Sequence, residues 1–104
     1  IREENEIDYK STNEGVMHAC GHDAHIAILL GVAKIIKSME EELKGNVKFF
    51  FQPAEETIGG AERMIKEGCL EEPYVDVVLG LHVSPNIDTG VVQLKYGMLL
   101  QILL

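Results

Sequence analysis

Cysteine is scarce in this chain: among 104 residues only Cys20 and Cys69 carry thiols. Two thiols are too few for a disulfide scaffold, so a reducing, cytoplasmic setting is expected. Basic residues are also few, with 9 Lys and Arg against 17 Asp and Glu and a net charge of -8 at pH 7. That charge repels phosphate backbones and anionic lipid, which argues against nucleic acid or a membrane surface as a partner. Long apolar runs are missing too. The longest stretches, Ile26 to Ala33 and Met98 to Leu104 with Gln101 inside it, fall well short of the roughly 20 residues that cross a bilayer. The polar opening from Arg2 to Glu14 has neither the basic nor the apolar region of a signal peptide. No internal repeat, low-complexity stretch or interdomain linker is present.

What is there suffices for one core. A chain of this length can hide roughly two thirds of its unfolded surface. It opens on Ile1 and closes on Leu103 and Leu104, which reads as a chain cut inside a strand, so a fragment is expected. From Asp23 onward, Ile26, Leu29, Leu30, Ala33, Ile36 and Leu43 recur with the helical period of about 3.6 residues, predicting an amphipathic helix. Asp23 is the expected N-cap, the helix is expected to end near Leu43, and Gly45 follows as a residue tolerant of positive φ. Asn46 to Gln52, rich in Val and Phe and stopped by Pro53, predicts a strand. Gly59 and Gly60 open a second helix through Met64 and Ile65, closed by Gly68, and Val75 to Val83 predicts another strand. A strand, helix, strand unit favours a parallel pair with a right-handed crossover, and Gly90 to Tyr96 is a candidate for one more strand. The expected class is α/β.

Three of the four histidines crowd around one thiol, in the string Met17-His18-Ala19-Cys20-Gly21-His22-Asp23-Ala24-His25. Thiolate and imidazole bind zinc and similar divalent ions, and Gly21 lets the backbone fold so that Cys20 and His22 face one point. His18 and His25 fit either a metal neighbourhood or hydrogen-bonded loop and helix positions. Gln52-Pro53-Ala54-Glu55-Glu56 places two carboxylates at the carboxyl end of the first predicted strand, where open α/β sheets put their ligand crevices. Adjacent acids repel unless a cation is close; one can then bind metal while its neighbour handles protons. By itself the pair would read as a solvated acidic loop. His82 lies near the carboxyl end of the next predicted strand and so should face the same crevice. Cys69 has no such company and reads as a core or helix-end residue.

These motifs, with Gly80-Leu81-His82-Val83 as the last of them, resemble the M20 peptidase family of amidohydrolases. The subfamily includes hippurate hydrolases, N-acyl-amino-acid amidohydrolases and plant auxin-conjugate hydrolases. The resemblance covers residues 15 to 98 and implies a zinc-peptidase-like catalytic domain whose mixed, largely parallel sheet is flanked by helices. It implies two divalent ions, drawn from Mn, Zn, Co or Ni. Cys20 looks like the bridging ligand, His22 and His82 like imidazole ligands, Glu56 like the carboxylate ligand and Glu55 like the general base. Asp23, His18 and His25 are candidates for residues that support the ligands. The implied reaction is hydrolysis of the amide bond of an N-acyl amino acid by a metal-activated water, in a homodimeric relative.

The family pattern also carries an aspartate motif ahead of the position of Ile1, a last histidine far downstream, and a lid and dimerisation domain after the position of Met98. None of these is in the present sequence, and Gln101 to Leu104 does not resemble the family's continuation. Residues 1–104 are thus expected to be a catalytic domain truncated at both ends. The alternative expectation is a catalytically inactive fragment that at most binds divalent metal, because losing positioned groups costs orders of magnitude in rate.

Overall fold

The computed structural model describes residues 1–94. Their regular elements are helix α1, His22–Ser38, a single 3-10 turn at Glu40–Glu42, and helix α2, Gly60–Lys66. None of the described helices is long and apolar enough to cross a membrane.

Helix α1 follows the apolar spacing but not the expected ends. It starts at His22, and the cap is Gly21 with φ 77°, while Asp23 sits inside the first turn. A glycine reaches that left-handed conformation without a Cβ penalty, and Asp23 there still faces the positive end of the helix dipole. The amide of His25 donates to the Gly21 carbonyl at 2.9 Å, which closes the first turn. At the other end the α-helix stops at Ser38, short of Leu43 and Gly45. Glu40, Glu41 and Glu42 follow the capping Met39, and three carboxylates are unfavourable against the partial negative charge of a helix C-terminus. The Ser38 hydroxyl donates to the Ile35 carbonyl at 2.6 Å, and Lys37 pairs with Glu40. Leu29, Ala33 and Ile36 form a half-buried stripe on α1, in line with His22 and His25, whereas Ile26 and Leu30 are exposed.

Helix α2 matches its expected glycines. Gly59, at φ 66°, caps the start, and Gly68, at φ 85°, ends it. The amides of Gly68 and Cys69 donate back to the carbonyls of Ile65 at 2.9 Å and Met64 at 3.0 Å. This is the paired closure that a left-handed residue after a helix permits.

The predicted strands are where sequence and structure part. Residues 46–52 and 75–83 form no strand, and none occurs among the described residues. The candidate strand from Gly90 to Tyr96 runs outside the described residues, and its described part forms no strand either. Val and Phe content favours a pleated, half-buried surface, but a ladder also needs a neighbour in register. What ties 46–52 down is Lys48, whose ammonium donates to the Cys69 carbonyl at 3.1 Å and to that of Glu71. Among the described residues no hydrophobic side chain is buried, and Leu79 is 92% exposed. A side chain as exposed as Leu79 forgoes roughly 1.5–3 kcal/mol of burial free energy.

Candidate metal centre

The stretch ahead of each helix and one extended segment bring the chemical groups together. Cys20 stands in the bend just before α1, and His22 is the first residue of that helix. Glu55 and Glu56 lie in a turn before α2. The turn begins at Ala54, which takes φ 52° and accepts from the amides of Thr57 at 3.3 Å and Gly59 at 3.1 Å. Gly60 is buried where any Cβ would collide with the Pro53 carbonyl, so the start of α2 packs directly on the chain leading to the two glutamates.

Ligand atoms of Cys20, His22 and Glu56 all lie within 4.8 Å of one another. His22 Nε2 is 3.3 Å from Glu56 Oε1 and 3.6 Å from Glu55 Oε2. From the far segment, His82 Nε2 comes within 3.4 Å of Cys20 Sγ. A tetrahedral ion with bonds of about 2.0–2.3 Å spaces its donor atoms roughly 3.3–3.7 Å apart. The His22–Glu56 and Cys20–His82 pairs fall in or near that range. The group of Cys20, His22 and Glu56 as a whole is looser, and His82 meets Cys20 without joining that group. The donors therefore fit a divalent ion in kind and only pairwise in spacing. The ring of His82 donates through Nδ1 to the Val83 carbonyl. In the neutral imidazole this leaves the Nε2 lone pair free on the side of Cys20, the tautomer a metal ligand needs. Partial burial, followed by the Glu56 and Glu55 carboxylates, pushes the Cys20 thiol above the ordinary cysteine range. A cation at the cluster would act against both the burial and the carboxylate charge that raise this thiol.

The remaining histidines have different partners. His18 Nδ1 faces Asp23 Oδ1 at 3.8 Å, both mainly exposed, and neither belongs to the Cys20, His22, Glu56 group. His25 Nε2 accepts the amide of Val83 at 3.1 Å. Burial, then the charges of His82 and His22, lowers the pKa of His25. Cys69 is half-buried just after α2, a helix-end position.

Two residues given no role in the sequence analysis shape this site. Ala54 starts the carboxylate turn in a left-handed conformation, for which alanine offers no signal. Val83 lays its side chain where a Cβ on Gly21 would stand. The one hint of that close approach is Gly21 itself, placed between two candidate ligands.

Comparison with known proteins adds the following. The family model described as Peptidase family M20/M25/M40 matches residues 2–97. The chain is 46% identical over 98 residues to an N-acyl-L-amino acid amidohydrolase of Geobacillus stearothermophilus, covering 93% of this chain and 26% of that protein. It is 46% identical over 100 residues to an N-acetyl-L-cysteine deacetylase of Bacillus subtilis (strain 168), covering 96% of this chain and 24% of that protein. An uncharacterized hydrolase of Staphylococcus epidermidis is 47% identical over 97 residues, covering 91% of this chain and 25% of that protein. The chain thus spans about a quarter of the length of these curated relatives. No solved structure matches it.

Proposed function

Since the chain belongs to peptidase family M20/M25/M40, we propose that it carries the metal-binding part of a catalytic domain that hydrolyses the amide bond of N-acyl amino acids. The observation that carries this reading is the convergence of Cys20, His22 and Glu56 within 4.8 Å. The names of two relatives, an N-acyl-L-amino acid amidohydrolase and an N-acetyl-L-cysteine deacetylase, supply the substrate class. Cys20, His22, Glu56 and His82 are the ligands in this reading, for two divalent ions of the Mn, Zn, Co or Ni type. When bound, such ions lower the pKa of water toward neutrality and polarise a carbonyl oxygen.

The chain's own residues then divide the work. Cys20, with His82 at 3.4 Å, joins the segment before α1 to the segment at 82. His22 reaches both carboxylates, so Glu56 can ligate while Glu55, 3.6 Å from the same ring nitrogen, stays free to move a proton. Glu55 takes a proton from the attacking water and returns it to the leaving nitrogen, giving a carboxylic acid and an amino acid. A reducing, cytoplasmic setting suits a working thiolate at Cys20. The exposed Val77, Val78 and Leu79, 73%, 62% and 92% accessible, belong in this reading to a mixed, largely parallel sheet completed by the rest of a family domain. The intact protein would form a homodimer.

A second reading, a catalytically inactive chain that at most binds divalent metal, is favoured by one observation: no described hydrophobic side chain is buried. Weakly held groups lose the positioning on which rate depends. One experiment separates the two: metal content and N-acetyl-amino-acid hydrolysis of the purified chain, beside Cys20→Ala and Glu55→Gln. Turnover that disappears in Glu55→Gln, with metal lost in Cys20→Ala, supports the enzyme. Metal without turnover supports the inactive binder. Metal absent from the unaltered chain defeats the ligand assignment.

A further inference from the structure

His25 lies one helical turn beyond His22 yet is absent from the metal-ligand group. Its Nε2, the nitrogen that could have ligated, is taken by the amide of Val83 at 3.1 Å. Its ring also stands edge-on to the His82 ring, with centroids 4.5 Å apart and planes at 71°. Val83 is gripped in three ways: its amide by His25, its side chain against Gly21, and its carbonyl by the Nδ1–H of His82. Each grip connects residues 82 and 83 either to the stretch that carries Cys20 and His22 or to the ring of His82 itself. Extended chain at 82 has no ladder to hold it, so its placement depends on these contacts.

We propose that His25 is a positioning residue for His82: by holding Val83 and bracing the His82 ring, it presents His82 Nε2 to the metal beside Cys20. This rests on the reading of Cys20 and His82 as ligands. The physical basis is that α1 is a rigid element, and a ligand on unsupported chain loses affinity unless another group fixes its orientation. His25 does this from the helix that also carries His22, so the two ligand segments are registered against each other.

The test is binding of Co(II) to the purified chain, followed by the thiolate-to-cobalt absorption band, with helicity measured on every variant. His25→Phe keeps a ring but removes the acceptor, and it should weaken Co(II) binding by about 10–100-fold. His25→Gln returns an acceptor at a similar reach and should restore most of that loss. In a His82→Ala background, His25→Phe should cost nothing further, because its effect passes through the missing ring. An equal loss in that background, an unchanged affinity in His25→Phe alone, or no rescue by His25→Gln overturns the positioning role. The ligand reading is checked separately. If the unaltered chain gives no thiolate-to-cobalt band, or Cys20→Ala gives the same band as the unaltered chain, that reading fails and the role of His25 falls with it.

Discussion

Along α2 the side-chain contacts join residues four apart, Arg63 to Glu67 at 2.8 Å and Lys66 to Glu62 at 2.5 Å. At the candidate centre they join residues 58 and 62 apart, His25 to Val83 and Cys20 to His82. The first kind forms as soon as a helical turn forms, since the closure cost is small. The second kind exists only if distant chain is brought back and held. The helical pairs are exposed and individually weak, whereas the centre gathers groups whose mutual repulsion a bound cation would relieve. Local contact thus shapes the elements, and long-range contact makes the chemistry.

The widest separation between the two should come from Cys20→Ala. Removing the sulphur that meets His82 is expected to lower divalent-metal affinity by at least about 100-fold, since even groups that merely support ligands are worth about 10–100-fold. Helicity should stay as it is. Calorimetric titration with metal and circular dichroism would show both. A comparable loss of helix would mean that the centre and the helices are not independent.

Gly21→Ala comes next. A left-handed alanine costs roughly 1–2 kcal/mol, and its Cβ would also meet the Val83 side chain. Metal affinity should therefore fall as the 82–83 segment is pushed away. Gly68→Ala is the control: φ is +85° but nothing lies within 4 Å of the added Cβ. It should cost only the same conformational term, roughly 1–2 kcal/mol, in helix stability, with metal binding intact. Equal effects of the two alanines on metal binding would remove the special role of the Gly21–Val83 contact.

Acid should act on the centre before it acts on α2. The pKa of His25 is lowered in the folded chain, first by burial and then by His82 and His22. The neutral ring is the form that accepts the Val83 amide, so its contribution is fully present above the ordinary histidine value of about 6.5. It is lost as pH falls through the lower folded value. Histidine ring resonances of the metal-free chain, followed by NMR from neutral to acid pH, should show His25 titrating below the ordinary range. The smallest effect is expected from Lys66→Ala, which removes one exposed pair and should cost about 0.3–0.5 kcal/mol of helix stability, less at high salt.

The helices were legible to different degrees at different points. Of the six residues that the apolar period predicts on one side of the first helix, Leu29, Ala33 and Ile36 are half-buried, while Ile26, Leu30 and Leu43 are exposed. Gly68, the stop that the sequence predicts for α2, is left-handed with the paired back-donation that makes such a stop. The start of α1 lies two residues ahead of the one Asp23 predicts, because Asp23 is a good cap by residue type while Gly21 caps by conformation. Its end was overestimated because apolar periodicity continues to Leu43 although Glu40 to Glu42 oppose the helix dipole. Residues 46–52 and 75–83 have strand composition and form no strand in the described chain. Composition reports the face a strand would offer, not whether a partner is there to pair with it.

For the candidate centre, residue types and local spacing already drew attention to Cys20, His22, Glu55, Glu56 and His82. That His82 shares a site with Cys20 was an expectation of the predicted strand ends and the family resemblance, whereas the seat of Val83 on Gly21 and the role of His25 as an acceptor could not be read that way. Helical periodicity, glycine stops and donor chemistry are properties of a few neighbouring residues, and the amino-acid order alone is enough to specify them. Which nitrogen faces which sulphur across 62 residues depends on where the intervening chain goes, and that is settled by packing and long-range hydrogen bonds that leave no local pattern in the order of residues.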